Sequence, residues 1–230
     1  MDIDPANRAK AHALGRKLAF WLTGSALVFS AAAAGLLYGI ARELGKPAVA
    51  QTAPPADFCP AAKNIAARVA PLARGEVAAL TLPKVPRKVP DLSFNGPDGT
   101  RKTLADFRGR TVLLNLWATW CIPCRAEMPA LDKLQATVPG RDFEVVAINI
   151  DTARLDKPKA FLAEAKVTNL AYYADPAAEV FQTLRQSHKI QGLPATMLID
   201  KDGCEIGLMA GPADWASADA LALARAAKGI

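Results

Sequence analysis

The sequence predicts an α/β domain with a mixed central sheet, preceded by a separate apolar segment near the N-terminus. Two nearly continuous apolar runs, at 112–117 and 143–150, are typical of strands covered on both faces. Segments with apolar residues at helical spacing follow each run. With 230 residues, 51% of them hydrophobic, the chain is long enough to bury one sizeable core.

The N-terminal apolar segment covers residues 18–41, which are 24 residues without a charge. A membrane-spanning helix needs about 20 such residues, so we predict a transmembrane anchor. The tail at 1–17 carries four basic residues against two acidic ones, which favours a cytoplasmic N-terminus and an exported domain. The alternative is a secretory signal cleaved before Gln51, which the length of the run and the charged residues after it oppose. A buried helix of a soluble core has less support, because the run is apolar on all sides.

The rest of the chain divides into a tether, an extension and the main domain. Residues 42–56, rich in Ala and Pro, form the predicted tether, and residues 57–90 form an extension that packs on the domain, with a short helix at 64–72. The domain at 91–230 begins with an edge hairpin around the turn at 95–99. Its further predicted elements are strand 111–117, helix 122–138, strand 143–150, helices 159–166 and 177–186, a hairpin of strands 195–199 and 205–209, and helix 215–226.

Charge and composition argue against a nucleic-acid partner. The net charge of +6 comes from 28 basic residues scattered among 22 acidic ones, without a basic stripe interleaved with aromatic residues. Four cysteines are too few for a disulfide scaffold in a chain of this size, but one close pair indicates redox chemistry.

That close pair is Cys121 and Cys124, at the start of a predicted helix. A cysteine in the first turn of a helix faces unpaired N–H groups and the positive end of the dipole, which stabilise the reactive thiolate. The spacing brings the second sulfur within reach, so Cys124 can resolve a mixed disulfide formed at Cys121. Pro123 has no backbone N–H, but an N–H in the first turn of a helix has no acceptor within the helix, so a proline is tolerated there. The pair can therefore exchange two electrons without a cofactor.

Other uses of this spacing have weaker support. Zinc needs four N or S ligands, whereas His188 is the only histidine of the predicted exported part, and Cys59 and Cys204 are far away in sequence. A haem attachment needs His after the second cysteine, and Arg125 stands there. An inert buried pair is the remaining alternative. We therefore predict no metal and no cofactor.

The residues around the pair resemble a known family. Residues 117–124, WATWCIPC, resemble the active-site segment of the thioredoxin superfamily, and 125–129, RAEMP, are similar to the TlpA/ResA/CcmG branch of exported thiol:disulfide oxidoreductases. Residues 192–196, GLPAT, resemble the cis-proline loop. The similarity runs from about Leu92 to the C-terminus, and the upstream run at 73–77 resembles the membrane-anchored TlpA type. A thioredoxin-like fold is implied.

The resemblance also implies roles for single residues. Cys121 would be the attacking thiol and Cys124 the resolving one. Pro194 would be cis and lie beside the disulfide, with an ordinary strand-entry proline as the alternative. Trp120 would shield the disulfide, with ordinary core packing as its alternative.

Glu127 matches a glutamate that tunes thiol ionisation in this branch. Its alternative is a solvated first-turn carboxylate stabilised by the helix dipole. One departure bears on it: thioredoxin itself has a buried Asp where this chain has Asn115, so a proton-relay carboxylate is missing there. Glu127 is the candidate to replace it in part.

Cys59 and Cys204 are predicted to form a structural disulfide, as expected in an oxidising compartment. The TlpA resemblance includes such a second bridge. Two free thiols are the alternative.

The family resemblance implies a cellular location, a direction of electron transfer and a set of partner proteins. It implies a single-pass protein of the inner membrane with a periplasmic catalytic domain that reduces exported clients. The implied clients are a Sco-type copper chaperone, the copper-site subunit of an oxidase, or apocytochrome c, and a DsbD/CcdA-type membrane conduit would supply electrons. The acidic motif usual in the cytochrome c version is missing around Pro194, which favours oxidase assembly. A chaperone that binds copper at the cysteine pair is the alternative from another class.

Overall fold

The computed structural model describes residues 57–138, 140–187 and 189–229. The predicted tail, anchor and tether at 1–56 lie outside these ranges. Within them, every helix is too short or too polar to cross a membrane.

The described chain alternates helices and strands after an N-terminal helix and a hairpin. The helices are α1 (Pro60–Val69), α2 (Ile122–Thr137), α3 (Lys157–Glu164), α4 (Glu179–Gln186) and α5 (Ala218–Lys228). The strands are β1 (Ser93–Asn95), β2 (Arg101–Thr103), β3 (Thr111–Trp117), β4 (Phe143–Asn149), β5 (Tyr173–Ala174), β6 (Ala195–Ile199) and β7 (Glu205–Ala210). Short 3-10 turns lie at Ala70–Leu72, Gly75–Val77 and Leu104–Phe107.

The strands form one mixed sheet in the order β2-β1-β5-β4-β3-β6-β7. The central strand β3 runs parallel to β4 and antiparallel to β6. All seven of its residues are buried, which explains its continuous apolar run. Leu116 of β3 lies opposite Ala195 of β6. The end of β3 and the start of β6 therefore meet at the same edge of the sheet, where the cysteine pair follows β3.

Helix α2 joins that edge to the core. Its buried face includes Met128, Leu131 and Leu134, which belong to the main hydrophobic cluster together with the strands. Pro123 occupies the first turn, where a proline is compatible with the helix, whereas Pro129 lies inside and removes one helical hydrogen bond. The packing of this face holds the first turn of α2 in place.

The extension covers the β7 edge of the sheet. Thr81 pairs with Leu208, and Lys88 pairs with Cys204, in isolated antiparallel bridges. A Cβ at Gly207 would lie 3.1 Å from the carbonyl oxygen of Thr81, so the close approach of the two backbones favours glycine there. An uncovered edge would present unpaired N–H and C=O groups to other chains.

Several element boundaries differ from those predicted. Helix α1 begins at Pro60 rather than at residue 64. Proline is favourable at the first position of a helix, but the prediction rests on the spacing of apolar residues, which does not show where the helix starts. Helix α5 begins at Ala218 rather than at Trp215, because Ser217 caps it by accepting the Ala220 N–H. Strand β5 was not predicted, since two residues carry no alternation pattern.

Candidate active site

The central feature is a disulfide between Cys121 and Cys124 at the start of α2, with a Cα–Cα distance of 5.3 Å. Cys121 is the N-cap residue, and its Sγ accepts the backbone N–H of Cys124 at 3.3 Å. The N–H groups of a first helical turn lack partners within the helix and carry the positive end of its dipole. A thiolate formed at Cys121 on reduction would occupy a position that stabilises it.

The two cysteines differ in exposure to solvent. Cys121 is 6% exposed, whereas Cys124 is fully buried. A partner protein can therefore approach Cys121 first, and Cys124 lies behind it. This difference matches the attacking and resolving roles that the family resemblance implies.

Large exposed apolar side chains flank Cys121 in the chain. Trp120 is 67% exposed and Ile122 is 77% exposed. Core packing, the alternative for Trp120, is therefore wrong. Two exposed apolar groups beside a reactive sulfur are typical of a surface that contacts another protein. Sequence reasoning missed Ile122, although its position between the cysteines at the helix start was a usable signal.

Pro194 lies at the same edge of the sheet. Its bond to Leu193 is cis, and it directly precedes β6. The Pro194 carbonyl oxygen accepts the Gly211 N–H at 3.0 Å, which ties the loop to the end of β7. The strand register places this loop near the end of β3, on the cysteine side of the sheet.

Glu127 is buried in the second turn of α2, with only 4% of its surface exposed. Its Oε1 accepts a hydrogen bond from Asn115 Nδ2 at 2.8 Å, and its Oε2 accepts the Ala213 N–H at 3.3 Å. The Asn115 amide also donates to Thr196 Oγ1 at 2.9 Å. A solvated first-turn carboxylate, the alternative for Glu127, is therefore wrong. The position where thioredoxin has Asp is thus occupied by an amide that donates to Glu127.

Burial changes the acidity of this carboxyl. Removal from water raises the pKa of Glu127 from 4.5 to about 7, because it penalises the charged form. The hydrogen bonds from Asn115 and Ala213 act in the opposite direction and offset part of the effect. A group with a pKa near neutrality can both accept and donate a proton at physiological pH.

A cavity of about 380 Å³ reaches Glu127 from the surface. Pro123 and Ala126 of α2 line one side, and Glu76 of the extension and Asp214 lie among the other lining residues. The buried carboxyl therefore has an opening toward solvent on the side of the extension.

Asp151 fixes the loop that carries the cysteines, and sequence reasoning missed it. Its carboxylate accepts the Thr119 N–H at 2.9 Å and the Thr119 hydroxyl at 2.8 Å. Asn149 Nδ2 donates to the same carboxylate at 2.6 Å. Asn149 and Asp151 stand at the carboxyl end of β4, and functional groups often lie at the carboxyl ends of parallel strands, so this pair could have been predicted from the sequence.

The second cysteine pair is separate from the first. Cys59, just before α1, and Cys204, just before β7, form a disulfide with a Cα–Cα distance of 6.1 Å. Both residues are 4% exposed. This bridge ties the extension to the sheet. No cluster of three or more His, Cys, Asp or Glu suited to a metal ion occurs in the described ranges.

Comparison with known proteins agrees with this geometry. A family model described as Redoxin matches residues 84–223. The thioredoxin-like protein YneN of Bacillus subtilis is 34% identical over 117 residues, which cover 51% of this chain and 66% of that protein. The thiol-disulfide oxidoreductase ResA of Geobacillus thermodenitrificans is 32% identical over 114 residues, which cover 50% and 62%. The chain thus spans slightly less than two thirds of these curated relatives.

Among solved structures, a thiol:disulfide interchange protein described as DsbE from Chlorobium tepidum is 31% identical. The similarity covers 62% of this chain and 96% of that one, with a TM-score of 0.53. A secreted thiol-disulfide isomerase from Corynebacterium glutamicum shares the fold, with a TM-score of 0.55 and 21% identity. The predicted thioredoxin-like α/β fold is confirmed.

Proposed function

The chain belongs to the redoxin family, and from this premise we propose that it is a thiol:disulfide oxidoreductase acting on cysteines of other proteins. One observation carries the proposal. The disulfide at the start of α2 joins a slightly exposed cysteine, Cys121, to a fully buried one, Cys124. The names of the relatives ResA and DsbE support the same class of reaction.

In the reducing direction the reaction has two steps. The Cys121 thiolate attacks one sulfur of a client disulfide, forms a mixed disulfide and displaces the other client sulfur as a thiolate. The Cys124 thiolate then attacks Cys121 Sγ, which closes the protein disulfide and releases the second client thiolate. Two electrons and two protons pass to the client in total. A dithiol donor must then reduce the Cys121–Cys124 bridge again.

Glu127 is the proposed proton acceptor for Cys124, because it is a buried carboxyl one helical turn away with a pKa of about 7. Asn115 and the Ala213 N–H hold this carboxyl in position. Pro194 and Trp120 are the proposed contacts for a client beside the disulfide.

A single-turnover assay tests the exchange reaction. Protein reduced with dithiothreitol, then freed of it, is mixed with a protein disulfide such as that of insulin. We expect one disulfide reduced per chain, loss of the reaction in Cys121→Ser, and a trapped mixed disulfide on Cys121 in Cys124→Ser. The double variant Cys59→Ser/Cys204→Ser is the matched control and should keep the reaction. A Cys124→Ser protein that traps nothing while Cys121 stays alkylatable would refute the proposal.

We further propose that residues 18–41 anchor the protein in the inner membrane and that the domain acts on the periplasmic side as a reductase. The uncharged run and the basic tail support the anchor. The proposed clients are the copper-site proteins of a respiratory oxidase, and a membrane conduit of the DsbD/CcdA type would supply electrons. A Cys124→Ser chain expressed in its own membrane should trap such a client on Cys121, where mass spectrometry identifies it. Trapping only apocytochromes would redirect the proposal to cytochrome c maturation.

A further inference from the structure

A groove opens beside the cysteine pair, between the start of α2 and one face of α3. We call it the side groove, and its volume is about 320 Å³. Trp120 lines it and directly precedes Cys121 in the chain, and Arg125 lines it one helical turn after Cys121. The other lining residues are Thr119, Lys157, Ala160, Phe161 and Glu164. A segment bound to Cys121 would therefore have this groove next to it.

The positive charge of Arg125 is held in place. Its guanidinium lies over the ring of Phe161, 5.0 Å from the ring centroid. Phe161 in turn contacts the buried Trp117, with ring centroids 5.8 Å apart. The contact with the aromatic ring restricts the long arginine side chain, so binding a carboxylate costs less conformational entropy there.

The side groove carries two cations and one anion. Arg125, Lys157 and Glu164 are all exposed, and none of the three forms an ion pair with an acidic or basic residue in the described ranges. Lys157 begins α3 and Glu164 ends it, so the two are about 10 Å apart along the helix. The cations can therefore bind a carboxylate without first breaking an internal ion pair.

We propose that the side groove selects client proteins that carry a carboxylate within a few residues of the target cysteine. The inference rests on the proposed exchange at Cys121. The exposed indole of Trp120 provides apolar contact, and Arg125 with Lys157 provides the charge that distinguishes one client from another. Glu164 weakens this preference at the other end of the groove.

Synthetic peptides test the charge preference. Three peptides differ only in the residues that flank a single cysteine, which are Glu, Gln or Lys, and each cysteine is activated as a mixed disulfide with uncharged 2-pyridinethiol. Pre-reduced protein gives two electrons and two protons to each peptide disulfide. The products are the peptide thiol, the pyridinethione whose absorbance is followed, and the Cys121–Cys124 disulfide. We expect the Glu peptide to react about tenfold faster than the Lys peptide at low salt, and the ratio to fall at high salt.

Charge variants locate the effect. In Lys157→Glu and Arg125→Glu the ratio of Glu-peptide to Lys-peptide rates should fall to about one or below, and in Glu164→Gln it should rise. Because both peptides react with the same thiolate, any change in the intrinsic reactivity of Cys121 cancels from the ratio. Lys63→Glu, on the exposed face of α1, makes the same change in net charge and should leave the ratio unaltered.

The outcomes separate this inference from the function on which it rests. Absence of reaction with uncharged dipyridyl disulfide would overturn the exchange function and this inference with it. Normal reaction with that compound but equal rates for the three peptides would overturn the inference alone. A ratio that changes equally in Lys63→Glu and Lys157→Glu would also overturn it, because net charge rather than the groove would then be responsible.

Discussion

At the scale of single residues, the pair Glu127 and Asn115 distinguishes this site. Asn115 is fully buried on the central strand, and it can donate to Glu127 without adding a second negative charge. The buried carboxyl therefore titrates without a charged partner at residue 115. A carboxylate at residue 115 would instead create a pair whose members cannot both ionise readily.

Glu127 should make stability depend on pH in a defined direction. Its folded pKa of about 7 exceeds the ordinary value of 4.5, so the folded state binds the proton more tightly than the unfolded state. Between those two values, stability falls as pH rises, and the full loss of about 3 kcal/mol is present above the folded pKa. Urea unfolding of the oxidised protein between pH 4 and 8, at intervals of about half a unit, measures this slope.

The variant Glu127→Gln is the matched control for that slope. The amide does not titrate, so its free energy of unfolding should lack the decline that Glu127 causes across this range. A decline of the same size in both proteins would show that other groups produce it.

Asn115→Asp should lower the free energy of unfolding little at low pH and strongly at high pH. At pH 5 the two carboxyls can share a proton, but at pH 8 two buried charges would face each other across the distance now spanned by a 2.8 Å hydrogen bond. We expect the variant to lose about 3 kcal/mol more stability at pH 8 than at pH 5. Denaturant melts at both values measure the loss. In the Glu127→Gln background the part due to repulsion between the two charges should disappear, and only the burial cost of the new carboxyl should remain.

At the scale of elements, the extension completes the sheet. Its bridges from Thr81 and Lys88 cover the β7 edge, and α1 donates from Arg68 Nε to the Ala226 carbonyl oxygen of α5 at 2.9 Å. The extension thus contacts both an edge strand and the last helix. It also supplies Glu76 to the cavity beside Glu127, which links this covering segment to the site.

Gly207→Ala tests the close packing of the extension on β7. The new methyl group would lie 3.1 Å from the Thr81 carbonyl oxygen and 3.0 Å from Leu82 Cδ2, so these neighbours must shift by a few tenths of an ångström. We expect a loss of about 1–3 kcal/mol in the free energy of unfolding, measured by denaturant melts. Gly192→Ala is the matched control, because its methyl group would meet no atom within 4 Å. Equal losses in the two variants would contradict this account of the edge.

The elements also show what the sequence could predict. Strands β3 and β6 lie at 111–117 and 195–199 as predicted, because central strands buried on both faces leave a continuous apolar signal. Strand β5 pairs with residues at the ends of β1 and β4. Its two residues are too few to leave an apolar pattern in the sequence. The helix starts at Pro60 and Ala218 depend on capping and on tertiary contacts, which apolar spacing alone does not register.

At the scale of the whole molecule, the two disulfides close loops of very different length. Cys59 and Cys204 are 145 residues apart, and Cys121 and Cys124 are three apart. In the chain-entropy model the long bridge stabilises the folded state by about 5 kcal/mol and the short one by about 2 kcal/mol. The long bridge therefore contributes mainly to stability, while the short one can open during exchange at a smaller cost.

Removing each bridge tests this division. Cys59→Ser/Cys204→Ser should lower the free energy of unfolding by up to about 5 kcal/mol, and Cys121→Ser/Cys124→Ser by about 2 kcal/mol or less. Denaturant melts of both double variants give the comparison. If the short bridge proved the more stabilising of the two, this account of what each bridge contributes to stability would be wrong.

The site as a whole was only partly predictable. The positions of Cys121 and Cys124 at a helix start follow from local sequence, because capping and i, i+3 spacing are local properties. The contacts of Asp151 with Thr119 and of Asn115 with Glu127 join residues on different elements, so no local pattern reveals them. The roles of Trp120 and Pro194 toward a client stay predictions.

The covering of β7 by the extension has a consequence for biosynthesis. A ribosome makes Thr81 127 residues before Leu208, so the covering segment emerges long before the edge on which it docks. During that interval the cysteines within reach of Cys59 are Cys121 and Cys124, because Cys204 follows them in the chain. Correct pairing therefore requires Cys59 to stay reduced until Cys204 emerges, or an early bridge from Cys59 to Cys121 or Cys124 to be exchanged afterwards. The order of the cysteines along the chain thus makes the timing of oxidation part of the redox specificity of the protein.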